Sequence, residues 1–85
     1  MTLGVQFRGN VGPNGTGRWF THSWRQDQRV VWLVVPTGPV QDRTPQIEWK
    51  VQVERQTPSL LKYYLEVKNL TPSTVNVEAR YAILD

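Results

Sequence analysis

The sequence predicts an all-β fold: a compact antiparallel β-sandwich of about six strands, one domain spanning residues 1–85. Three observations carry this expectation. The apolar runs either alternate with period two or are apolar throughout, and none shows a helical stripe with capping residues. Turn-forming residues separate the runs at short intervals. The chain is 85 residues long without a single cysteine, so one modest core must hold it, unaided by disulfides or thiolate-bound metal.

Taken in order, Leu3, Val5, Phe7 and Val11 mark a first strand, with Gly9 interrupting the pattern where a bulge or a close backbone approach fits. Gly12-Pro13-Asn14-Gly15 then supplies turn chemistry. In the second strand, Trp19, Thr21 and Ser23 share one face by strict alternation, and Phe20, His22 and Trp24 share the other. Either set can be the buried one. After the turn Arg25-Gln26-Asp27-Gln28 comes RVVWLVV, with Val30, Trp32 and Val34 on one side and Val31, Leu33 and Val35 on the other. Residues 36–45 hold three prolines and a glycine, which predicts a crossing between sheets instead of a tight hairpin.

The C-terminal half alternates cleanly. Ile47, Trp49, Val51 and Val53 are interleaved with Glu48, Lys50, Gln52 and Glu54. Leu61, Tyr63, Leu65 and Val67 follow the turn Thr57-Pro58-Ser59, and Val75, Val77, Ala79, Tyr81 and Ile83 follow Asn69-Leu70-Thr71-Pro72-Ser73. These one-sided strands place Trp49, Val51, Tyr63, Leu65, Val77 and Tyr81 in the expected core.

A small β domain needs one apolar face per strand, yet residues 19–35 offer two and carry Trp19, Trp24 and Trp32, three of the four tryptophans. An exposed apolar surplus is unfavourable unless something covers it, so this region reads as a binding or assembly surface. Core filling is the simpler role for Trp32 and Trp49.

Several function classes are disfavoured. A net charge of +3, with basic residues scattered from Arg8 to Arg80, is a weak signal for nucleic acid. A single histidine and no cysteine leave no metal-ligand set, and no phosphate-binding or dinucleotide loop is present, so no cofactor is expected. His22 reads first as a hydrogen-bonded structural residue. A Ser23, His22 and Asp27 triad is disfavoured because strand alternation separates serine from histidine. The glutamates sit on polar strand faces beside lysine and arginine, so the chain is read as no enzyme. Asn14-Gly15-Thr16 and Asn69-Leu70-Thr71 match a glycosylation triplet, but both read as turns. With no basic, apolar leader and no run of about 18 apolar residues, the expectation is a soluble protein without a signal peptide or transmembrane segment.

Residues 9–20, GNVGPNGTGRWF, resemble the strand–turn–strand opening of small secreted β-sandwich accessory domains. The resemblance covers about a seventh of the chain, rests on turn residues and transfers no site residues.

Two functions are expected to compete. The first is lectin-like carbohydrate recognition through an aromatic and polar face, with Trp19, His22, Trp24, Arg25, Gln26, Asp27 and Gln28 as ligand-binding residues. The alternative is a structural or assembly subunit, a homo-oligomer joined through the apolar surplus. An OB-like nucleic-acid binder ranks third.

Overall fold

A computed structural model describes residues 1–84; Asp85, the last residue of the expected domain, lies outside the described residues. The described residues form six strands and no helix: β1 (Thr2–Val11), β2 (Thr16–Arg25), β3 (Arg29–Gly38), β4 (Ile47–Arg55), β5 (Leu60–Asn69) and β6 (Val75–Leu84). They make two three-stranded antiparallel sheets, β1-β6-β3 and β2-β5-β4. The chain crosses between the sheets over residues 39–46; Pro36, Thr37 and Gly38, expected in that connection, instead form the end of β3, with Pro36 and Gly38 paired to β6. The short turns after β1, β2 and β5 cross as well, so the β4–β5 hairpin is the one connection that stays within a sheet.

The central strands behave as their alternation requires. Leu65, Val67, Val75, Val77 and Ala79 are essentially inaccessible, and Val11, Trp32, Val34 and Tyr63 complete the core. Trp49 and Val51 pack against it half-buried, because β4 is an edge strand; Tyr81 does so from the central strand β6. One end of the core is aromatic. Trp24 and Trp32 meet edge to face, with ring centres 5.5 Å apart, and Tyr63 and Tyr81 contact both indoles in the same manner.

Strict alternation fails at two places, and both are β-bulges. In β1 the register slips between Val5 and Phe7, so Phe7 and Val11 turn inward while Leu3 and Val5 remain exposed outside. These four residues therefore do not share a face. The expected irregularity at Gly9 is a close approach instead: the six-membered ring of Trp19 lies where a Cβ on Gly9 would meet it at 3.0 Å. A Cβ on Gly17 would meet the same ring at 2.5 Å, so both glycines make room for the indole.

In β2 the register slips between Thr21 and Trp24, with Ser23 in the left-handed region at φ 67°. The extra residue changes the parity, so Trp19, Thr21 and Trp24 all face inward and neither of the two alternating sets survives intact. A shared acceptor joins the two bulges. Thr21 Oγ1 receives hydrogen bonds from Gln6 Nε2, at the β1 bulge, and from Trp24 Nε1, just beyond the β2 bulge, both at 3.1 Å.

The opposite end of the sandwich is held by Asn69, which is 1% exposed. Its amide nitrogen lies 2.7–3.0 Å from the carbonyl oxygens of Val11, Gly12 and Ser73. Its Oδ1 accepts from the Thr71 backbone N–H and hydroxyl. Asn69 and Thr71 of the triplet thus form a buried polar clasp between two crossing turns, a structural use of its asparagine, while Leu70 between them is exposed.

Thr21→Val keeps the shape of the side chain but removes the acceptor serving two donors. The expected loss is about 1–3 kcal/mol of stability, read as a lower urea midpoint with an unchanged m-value.

Candidate functional site

The seven expected ligand-binding residues do not form one surface. Trp19 is half-buried and stacked on Phe7, with ring centres 4.7 Å apart. Trp24 belongs to the aromatic end of the core. His22 is exposed, and its Nδ1 lies 2.9 Å from Ser23 Oγ. The bulge therefore brings together a histidine and serine that regular alternation would separate. The pair lacks the rest of a nucleophilic site: the Ser23 N–H is taken by Gln56 Oε1, and among the described residues no carboxylate bonds to His22.

The four turn residues are engaged largely with protein. Arg25 makes a bidentate pair with Asp27 at 2.9 and 3.1 Å, which holds the Asp27 carboxyl below its ordinary range. The Arg25 N–H donates to Gln28 Oε1, and Gln26 Oε1 accepts from Arg55 Nη1. Hydrogen-bonding groups expected to meet a ligand thus stabilise the β2–β3 turn.

Two other surfaces are built by the register of the sheets. On the outside of β1-β6-β3, the rows Leu3–Ala82–Val31 and Val5–Arg80–Leu33 lie side by side. They line a shallow groove of about 450 Å³. Leu3 is 72% exposed, Val31 50% and Leu33 48%, as the two-faced β3 sequence foreshadows. The contribution of Leu3 and Val5 is hidden in the sequence by the β1 bulge. Arg80 crosses this face with its guanidinium directed to Glu78, Nε to Oε2 2.6 Å, and Arg8 meets the other carboxylate oxygen at 2.8 Å.

The outside of β2-β5-β4 is aromatic and charged. Phe20 stands beside Tyr64, and Lys62 Nζ lies 4.6 Å from the centre of the Phe20 ring and 5.1 Å from that of Tyr64. The Tyr64 hydroxyl donates to Glu54 at 2.5 Å, and the His22 ring is 6.4 Å from Phe20. One rung away, Glu66 is paired with Arg18 at 2.9 Å and Lys50 at 3.2 Å. Among the described residues, no cluster of histidine and carboxylate side chains is suited to a metal ion, and no helix is long and apolar enough to cross a membrane.

Comparison of this chain with protein-family models, curated proteins and solved structures found no match.

The two central glutamates give the fold a defined response to acid. Lys50 and Arg18 hold the Glu66 carboxyl below its ordinary range, and Arg80 and Arg8 do the same for Glu78. Such a group stabilises the fold fully above its unfolded pKa, about 4.3 for glutamate, and that contribution is lost as pH falls through the lower folded value. The urea midpoint is expected to drop between about pH 6 and about pH 3, and to drop less in the Glu66→Gln, Glu78→Gln double variant.

Proposed function

We propose that this protein is a non-catalytic assembly module whose β1-β6-β3 outer face is covered by the same face of a second copy. The observation carrying this reading is the pair of outward rows Leu3–Ala82–Val31 and Val5–Arg80–Leu33, whose exposed leucines and valines are interrupted only by Arg80, itself paired with Glu78. Arginine is enriched in protein interfaces, and here apolar side chains flank one whose charge is already paired. A standard interface covers about 800 Å² per partner, which is about one seventh of the 5568 Å² surface of this chain. A patch that meets itself across a two-fold axis gives a closed dimer and removes its exposed leucines and valines from water.

A second reading, carbohydrate recognition, is favoured by the other outer face. Phe20 is 63% exposed and flanked by Lys62, His22 and Tyr64, whose hydroxyl donates to Glu54 on the next strand. An aromatic plate with adjacent ammonium, imidazole and carboxylate groups suits the apolar face and hydroxyl rim of a sugar. This lectin-like reading keeps His22 from the expected site and replaces Trp19 and Trp24 with Phe20 and Tyr64.

The assembly reading is tested by sedimentation velocity from about 10 µM to about 500 µM, a range over which interfaces of this size associate. Wild type is expected to self-associate, and Leu33→Asp to associate measurably less while remaining folded by circular dichroism. A strictly monomeric wild type would remove this reading. For the second, a glycan array with wild type and Phe20→Ala discriminates. Binding lost in the variant supports sugar recognition, whereas equal signals or none exclude that face.

A further inference from the structure

The four edge strands of the sandwich are unequal. β1 carries its bulge between Val5 and Phe7, β2 carries one between Thr21 and Trp24, and β3 contains Pro36 with a register break before Gly38. Each device interrupts the outward row of N–H and C=O groups that would otherwise accept another strand. β4 has none of them. It pairs with β5 without a slip from Ile47↔Asn69 to Arg55↔Leu61, contains no proline or glycine, and makes no ladder on its other side among the described residues. Its inward row also ends in Val53, which is 60% exposed beside half-buried Val51.

We propose that β4 is a second self-association site, pairing antiparallel with β4 of another copy across a two-fold axis through Gln52. Charge selects this register. With Gln52 at the axis, Lys50 lies opposite the partner's Glu54 and Glu54 opposite the partner's Lys50, while Val53 lies opposite the partner's Val51. Seven residues, 49–55, overlap within the strand. Centring on Val51 sets Glu48 against the partner's Glu54, and centring on Lys50 sets two lysines together; like charges directly opposite are destabilising. Centring on Trp49 gives Glu48 to the partner's Lys50 but overlaps only residues 47–51, because β4 begins at Ile47. The Gln52 register alone combines opposite charges with most of the strand and covers the exposed valine.

This edge is distinct from the apolar β1-β6-β3 face. A molecule using both would join neighbours at two different two-fold contacts and so form an assembly larger than a dimer.

The experiment uses Leu33→Asp as background, which removes the face contact and leaves β4 intact. Sedimentation equilibrium on this protein is expected to show a residual dimer. Adding Lys50→Glu or Glu54→Lys alone should weaken it about tenfold, since each creates two like-charge pairs in place of two attractive ones. The Lys50→Glu, Glu54→Lys double variant restores the complementarity and should return to within about threefold of the background. Circular dichroism checks the fold of each variant, and hydrogen exchange should show concentration-dependent protection confined to residues 49–55. A monomeric Leu33→Asp protein at about 1 mM, or single and double variants of equal affinity, would overturn the edge pairing; a dimer lost through these charges but untouched by Leu33→Asp would overturn the face instead.

Discussion

The hydroxyl of Thr21 is the point on which the arrangement of this sandwich turns. It accepts one hydrogen bond from Gln6 and one from Trp24, and these donors sit at the two bulges that break strand alternation. The β1 bulge turns Phe7 in and leaves Leu3 and Val5 out, whereas the β2 bulge brings Trp24 to the side of Trp19. Linking the two through one oxygen couples the residues lost from the core of one sheet to those gained by the other. The two insertions thus add Trp24 to the aromatic end of the core and Leu3 and Val5 to the apolar outer face.

Three kinds of packing divide the length of the molecule. Edge-to-face rings fill one end, small aliphatic side chains fill the middle, and Asn69 with its hydrogen bonds closes the other. The polar end tolerates burial because both sides of the amide are satisfied. The Trp32 indole nitrogen, by contrast, is buried with no hydrogen-bond partner among the described residues, and the surrounding rings compensate through packing. No disulfide takes part, so this division of packing supplies the cohesion of the chain.

Fold class was legible because β4, β5 and β6 keep strict period two in sequence, and the buried apolar residues of β5 and β6 are those of the expected inward sets, with Glu78 of the outward set buried as well, where Arg8 and Arg80 pair with it. The parity of β2 was not legible. A bulge adds one residue without a composition signal when serine, not glycine, adopts the positive φ, and everything beyond it changes face. That change of face leaves Trp19 and Trp24 both inward, away from the Arg25 to Gln28 turn with which the sequence grouped them, and the turn residues bond largely to protein groups. Val31 and Leu33 were legible as surplus because RVVWLVV is apolar at every position, but their neighbours Leu3 and Val5 depend on pairing with a strand at the far end of the sequence.

That pairing also fixes the order in which the molecule can close during synthesis. The sheet β2-β5-β4 is complete in sequence once residue 69 has been made, but β1 and β3 each find their only in-sheet partner in β6, residues 75–84. Until β6 has been made, β1 and β3 have no in-sheet partner among the described residues, and one of them is apolar on both sides. The final ten-residue strand works as a zip fastener for the earliest one, joining Thr2 to Ile83. A nascent chain stalled before that point would hold one finished sheet and two open templates, the state in which misassociation between neighbouring polypeptides is easiest.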